Sequence, residues 1–397
     1  MKKIVVILVV FSFIGFGCTN KLKMPDFYNK NYNEAKKFAD KNNLEISYEE
    51  VYDDSIVKGN IIGQNIEKNK KINKDTKLIF KISKGIDYGK YNVDESGYVP
   101  IMMYHGIENI KDEDTKYIGG NVDKDGYIRT AESFRKDLEF YYNNNYRMIR
   151  LKDYINGDID TELGKSPIIL TFDDGRSNNI KVIGCDDNGN IIIDPNSAVG
   201  ILEEYKKKYP DFNVTATFFI NGSLFNQDKY NDEIIKWLID NNYDIGNHTY
   251  SHSDITTITE SETMEEVGKM YEKLSNITLE YINVVALPFG SPYDSMHSNF
   301  PAILDGKYNG KEYHTDATLR VGWEANYSPF SKKFNKNFIK RIRAYDNNGN
   351  DFDIEMNFKM LENNRFISDG DKDTIAIKEK DKQYINENIN KKYIYYY

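Results

Sequence analysis

Apolar residues fall in short, nearly continuous runs over most of this chain, and amphipathic stretches separate them. Residues 99–106, 167–172, 214–220 and 284–287 are such runs. Their length and continuity predict strands buried on both faces. Between the runs the period changes to that of a helix. Residues 133–142 put Phe134, Leu138 and Tyr141 on one face, with Ser133 as the expected cap. Residues 197–209, 233–241 (Trp237 inward) and 263–274 continue the alternation, which predicts an α/β fold with a parallel sheet. Two short runs, 180–183 and 190–193, flank the polar turn Cys185-Asp-Asp-Asn-Gly-Asn190 and predict a hairpin. That turn is rich in oxygen donors, but no glutamate stands at the twelfth position of a calcium loop.

Residues 24–85 are patterned differently. Residues 33–42 predict a helix with Asn33 as cap and Ala35, Phe38 and Ala39 on one face. Residues 44–51, 59–66 and 77–83 alternate as strands separated by polar turns. A polar, Gly-containing stretch, 86–97, is the expected linker. Residues 381–397 form the expected tail, and its end, Lys391-Lys-Tyr-Ile-Tyr-Tyr-Tyr397, is expected to fray.

The first residues carry an export pattern. Lys2 and Lys3 precede an apolar run over 4–16, too short to span a bilayer comfortably, followed by Gly17-Cys18. Residues 1–17 are thus expected to be a signal peptide. The Gly-Cys junction resembles a bacterial lipoprotein cleavage site, which implies a lipidated Cys18 and a tether over 18–23 on the extracellular face of the membrane. Gly15 stands where such sites usually have a branched apolar residue. The plainer alternative is an exported protein with an incidental cysteine.

Charge and cysteine content narrow the function. With 53 basic and 62 acidic residues the net charge is −9. Nucleic acid rewards clustered Lys and Arg, so it is excluded as a partner. A strongly anionic polymer is disfavoured, whereas a neutral glycan is compatible. Of the two cysteines, a lipidated Cys18 leaves only Cys185, so no internal disulfide framework is expected.

Candidate chemistry sits where the strand runs end. Asp173 and Asp174 follow the run at 167–172, and Gly175 follows them. The C-terminal ends of parallel strands are where ligands collect. Adjacent carboxylates repel, and a cation or shared proton justifies them; an Asp-Gly turn is the bland reading. His248 and His252 stand four apart after another strand, in a chain with only five histidines. On a helical turn both imidazoles would face one cation. Two imidazoles and one carboxylate leave positions open for water and substrate, as in a catalytic metal site.

Thr171-Phe-Asp-Asp-Gly175, Ala216-Thr-Phe-Phe-Ile220, Asn247-His-Thr-Tyr-Ser-His252 and Pro288-Phe-Gly290, in this order, resemble the polysaccharide deacetylases of the NodB-homology type. The resemblance spans residues 98–380. It implies a distorted (β/α) barrel and a metal-dependent N-deacetylation of amino sugars. Asp174, His248 and His252 would then hold one divalent metal, zinc by expectation, and Asp173 would be the general base. The oxyanion would lie against a backbone N–H of the turn at Phe289, where the family usually has Tyr. Val321-Gly-Trp323 would supply the apolar wall for the acetyl methyl, with Trp323 as the wall residue or, equally, as core packing.

Two features of the family are missing. Its base-orienting arginine, two residues before the proline, is Ala286 here, and no Leu-x-His follows His314. Relatives with the Met-Tyr-His start, as in Met103-Tyr-His105, lack these features too and bring a histidine from the N-terminal strand, so His105 would be the acid. His297 and His314 are the alternatives. Residues 339–343 and 365–370 resemble the ending of Gram-positive lipoprotein deacetylases, and the pattern gives that segment no role.

Residues 24–85 resemble a PASTA domain in the Pro25-Asp26 opening, the helix, Lys58-Gly-Asn-Ile-Ile-Gly-Gln64 and the closing Ser83-Lys-Gly85. The resemblance implies a wall-binding module or, as readily, a spacer. The implied substrate is peptidoglycan or another N-acetylglucosamine-containing glycan of the wall or cell surface. The competing reading is a wall-binding structural lipoprotein that has lost turnover with its Arg and His.

Overall fold

The structure is a computed structural model and describes residues 22–386, 389 and 392–397. The expected signal peptide and Cys18 lie outside these residues. The chain forms two compact units, one through Tyr91 and one from Asn92 to Tyr397.

In the first unit a helix, Tyr32–Asn42, packs on a three-stranded sheet. Its strands are Glu45–Val51, Ile61–Gln64 and Lys77–Ser83, with the last in the centre. The central strand alternates, burying Leu78, Phe80 and Ile82 while Lys77, Ile79 and Lys81 face out. The cap is Asn31 rather than Asn33. The Asn31 side chain accepts from the Asn33 N–H, which makes Asn33 the second helical residue.

The second unit is built on parallel strands: β1 (Ile101–Tyr104), β2 (Ser166–Phe172), β3 (Thr217–Ile220), β4 (Asp244–Asn247), β5 (Val284–Ala286), β6 (Ala317–Leu319) and β7 (Ile342–Arg343). Their order is β6-β5-β4-β3-β2-β1-β7, and a short strand, Tyr146–Met148, pairs with the start of β2. A parallel bridge from Leu319 to Ile339 lies three residues before β7. The segment 339–343 therefore touches both edges of the sheet and draws it into the curled, distorted barrel that the family resemblance implies.

Every residue of β2 is buried, as a strand covered on both faces requires. Ile168, Leu170 and Phe172 pack with the helices into the larger core. Ile169 turns the other way and meets Ile101, Phe219, Ala286 and Leu319. Because side chains alternate, Thr171 and Asp173 follow Ile169 to that second face.

The helices Ala131–Asn143, Ala198–Lys208, Asn231–Asp240 and Glu260–Ser275 cover the predicted periods within two or three residues. Thr130, not Ser133, caps the first, because its hydroxyl accepts from the Ser133 N–H. The predicted hairpin forms between Val182–Cys185 and Ile191–Ile193. Two expectations at the edges of this unit differ. Residues 92–97 are not free linker: Val93 and Glu95 are buried, and Asp94 bridges Ile367. The terminal tyrosines do not fray, since Tyr393–Tyr396 pairs parallel with Thr374–Ile377. Main-chain pairing and the buried Ile375 and Ile377 supply what a composition-based reading of a polar tail omits.

Candidate active site

β1, β2, β4 and β5 all end at one rim, and their first loop residues meet there. The Asp173 N–H donates to the Tyr104 carbonyl, which levels the end of β2 with the end of β1. Asp173 is 1% exposed and Arg341 is fully buried. The guanidinium grips both carboxylate oxygens, Nη1 to Oδ1 at 2.7 Å and Nη2 to Oδ2 at 2.6 Å. Nη1 also reaches the Thr171 hydroxyl at 3.1 Å, and Nε donates to the Arg320 carbonyl at 3.2 Å. Burial pushes the Asp173 carboxyl up, but Arg341, His248 and His105 outweigh it and hold the group below its ordinary range.

Asp174 leaves the strand with φ +73°, an unusual conformation for a residue with a side chain. That break in alternation turns its carboxylate toward the two histidines. Asp174 Oδ1 lies 3.4 Å from His248 Nε2 and 3.3 Å from His252 Nε2. Its Oδ2 accepts from Arg176 at 3.0 and 3.2 Å. Burial raises Asp174, yet the two imidazoles beside it outweigh that and lower it far below the carboxylate range. The His252 imidazole is raised by the same carboxylate.

His248 and His252 do not share a helical turn. They lie in the loop after β4, where Thr249 (φ +60°) and His252 (φ +59°) adopt left-handed conformations. With these two residues the loop bends out of the strand direction, and the rings stand 4.8 Å apart between centroids. Strain of this kind in non-glycine residues persists where surrounding contacts over-determine it. The Asn247 carboxamide, buried beside the loop, accepts from the Thr249 N–H and donates to the Val267 carbonyl.

Asp174, His248 and His252 offer three ligand atoms within 4.8 Å of one another. The fit to a cation is tested by His248. Its Nδ1 lies 2.8 Å from the Ala286 carbonyl, so Nδ1 carries the hydrogen, and the buried Nε2 has no hydrogen-bond partner. That nitrogen presents a lone pair toward Asp174, and the carbonyl plays the orienting part usual behind a histidine ligand. The residues fit a divalent ion.

His105 follows β1 at the same rim, half-buried, with its ring edge-on to Tyr127 at 4.8 Å. Its Nδ1 is buried without a partner. Burial lowers the imidazole to about 4, against the pull of Asp173 and Asp174. Phe289 (φ +58°) stands in the turn after β5, and its ring lies 4.8 Å from that of His252. Trp323 is not core: it is 48% exposed, and the Arg320 guanidinium lies 5.5 Å from its ring centre. His314 sits in a hairpin, paired with Asp305 at 2.6 Å, and His297 accepts from the Asn299 N–H; neither joins the ligand cluster.

The residue that sequence reasoning missed is Arg341. The only signal was Ile339-Lys-Arg-Ile-Arg343, a short basic and β-branched run with no assigned role.

Residues 160–300 match the family model for polysaccharide deacetylase, and residues 22–84 match that for the PASTA domain. The first match takes in Asp173, Asp174, His248, His252 and Phe289, while His105, Trp323 and Arg341 lie outside it. The peptidoglycan-N-acetylmuramic acid deacetylase PdaA of Bacillus subtilis is 29% identical over 121 residues, 30% of this chain and 37% of that protein. A peptidoglycan-N-acetylglucosamine deacetylase of Bacillus cereus is 29% identical over 126 residues, 32% of this chain and 37% of that protein. The chain thus spans little more than a third of the length of either relative. Among solved structures, the Streptococcus pyogenes deacetylase PplD in complex with acetate aligns with TM-score 0.47 at 16% identity, covering 67% of this chain and 98% of that one. The chain therefore carries a PASTA domain followed in sequence by a polysaccharide deacetylase domain.

Proposed function

We propose that this protein removes acetyl groups from N-acetylated amino sugars of peptidoglycan or a related surface glycan. One observation carries the reading: Asp173, the expected base, is held ionised and oriented by Arg341. The argument for an inactive wall-binding protein rested on Ala286 in place of the family arginine and on the missing C-terminal histidine. Arg341, just before β7, supplies a guanidinium to Asp173, so the first of those two grounds falls away.

Asp174, His248 and His252 would hold one divalent metal, zinc by expectation. When bound, such an ion lowers the pKa of water toward 7 from about 15.7 and polarises a carbonyl oxygen. Asp173, with both oxygens anchored by Arg341, accepts the proton of the attacking water. A backbone N–H of the Phe289 turn faces the oxygen that becomes negative as the amide carbon turns tetrahedral. The leaving nitrogen takes its proton from His105. That imidazole is neutral in the resting protein, so it first receives the proton that Asp173 drew from the water and then passes it to the nitrogen, leaving both groups as they began. The fields of Asp173 and Asp174 favour the charged ring.

Residues 1–18 support export and a lipid anchor at Cys18, and the PASTA domain supports placement at the wall. The test is acetate release from peptidoglycan, chitin-type and β-1,6-linked oligomers, with and without added metal. Release abolished by Asp173→Asn is expected. A parent protein that releases none while still binding wall would return the structural reading.

A further inference from the structure

Arg320 leaves β6 at the rim of the site and pairs with no carboxylate among the described residues. Its guanidinium lies against three rings, 4.8 Å from the centre of Phe338, 5.2 Å from Tyr293 and 5.5 Å from Trp323. Its Nε is buried without a hydrogen-bond partner. The nearby acid, Glu324, is already engaged by Lys340. Burial lowers the guanidinium, and only the Tyr293 phenol opposes that shift; no carboxylate does. A half-buried cation with an unused donor costs free energy in the unliganded protein, and a ligand anion relieves that cost.

The cluster adjoins the reacting groups through two contacts. The Tyr293 hydroxyl donates to the Phe289 carbonyl at 2.9 Å, and the Phe289 ring packs against His252. The Arg320 carbonyl accepts from Nε of Arg341, the residue that grips Asp173. Phe289, Tyr293 and Trp323 each leave about half their surface open, at 56%, 55% and 48%. Exposed rings beside a reaction centre are faces on which sugar rings stack.

We infer that Arg320, Tyr293 and Trp323 form a subsite for a carboxylate borne by the glycan, so that the preferred substrate is an acid-bearing N-acetylated sugar chain rather than a neutral one. A planar guanidinium fork matches a carboxylate with two parallel hydrogen bonds, whereas a neutral hydroxyl uses only part of it. The net charge of −9 does not oppose this at contact range. Surface charges beyond about 8 Å are screened at physiological salt, and the local cation decides. The inference rests on the deacetylase reading for its reaction but not for its binding.

The experiment compares kcat/KM for acetate release from three oligomers. One alternates N-acetylglucosamine with a lactyl-ether acid sugar, one is the same chain with its carboxylates amidated, and one is neutral N-acetylglucosamine. The parent is expected to favour the acid over the amidated chain by about 10- to 100-fold, the worth of a charge-assisted hydrogen bond, chiefly in KM. Arg320→Gln should bring that ratio near one, and Arg320→Lys should retain part of it. A merely structural Arg320 would lower both rates together and leave the ratio intact, which overturns the proposal. Equal rates in the parent overturn it as well. If the parent releases no acetate from any chain, calorimetric binding of the acid and amidated oligomers decides. A preference lost in Arg320→Gln upholds the subsite although the reaction fails, and no preference rejects it.

Discussion

Arg341 and Asp173 are 168 residues apart in sequence and joined, both side chains buried, by two hydrogen bonds of 2.7 and 2.6 Å. The pair forms because residues 339–343 bridge the edges of the sheet, which turns the Arg341 side chain onto the face shared by Ile169, Thr171 and Asp173. Arg341→Ala leaves a buried, unpaired carboxylate. We expect a loss of about 3–5 kcal/mol in denaturant unfolding, the usual cost of breaking a buried pair, together with loss of acetate release. Arg341→Lys should keep more of the stability than of the activity, since an ammonium cannot bind both oxygens in one plane. Unchanged unfolding in Arg341→Ala would show that the pair is not buried as described.

Metal content separates ligands from their neighbours. The purified protein should hold about one divalent ion per chain, as three protein ligands imply. His248→Ala, His252→Ala and Asp174→Asn should each lose it, measured by elemental analysis, with the circular dichroism of the parent. Full occupancy in any of the three would remove that residue from the ligand set.

Asp173→Asn and His105→Ala should instead keep the ion while turnover falls, by about 10²–10⁴-fold for a lost proton-transfer group. Both belong in one series of acetate-release assays with the ligand variants. Full activity in His105→Ala would move the acid to His297, His314 or solvent.

Glu95 gives a pH prediction away from the site. Burial, then the nearby Asp369, raises its carboxyl well above the ordinary value of 4.5, against hydrogen bonds from the Ala376 and Asp369 N–H groups. A folded pKa above the unfolded one means that the native state binds the proton more tightly. The stabilisation is therefore complete below the unfolded value and is lost as pH rises through the folded value. Glu95→Gln keeps the neutral form at every pH. The parent's unfolding midpoint should drop relative to the variant on going alkaline, and parallel curves would contradict the shift.

Cys18→Ala tests the anchor. The variant should appear in the medium or remain unprocessed, while the parent fractionates with membranes. Identical fractionation and mobility would exclude lipidation.

The order of elements and the groups around Asp173, Asp174, His248 and His252 could be read from the sequence, because both rest on local facts. Buried parallel strands must be continuous apolar runs, helices must repeat every 3.6 residues, and a carboxylate pair at a strand end is visible as two letters. The two caps moved by two or three residues because capping depends on which hydroxyl or amide meets a free N–H, a matter of backbone direction. The histidine pair shows the limit of spacing. Its four-residue separation suggested a helical turn, yet left-handed residues at Thr249 and His252 bring the rings together in a loop. The Arg341 contact lay beyond sequence altogether. A salt bridge across 168 residues leaves no periodicity; it exists only once Leu319 meets Ile339 and β7 pairs with β1. The same closure put Arg320 among aromatic rings with no acid to answer it. Sequence can count charges, but which of them go unpaired is decided when the chain packs.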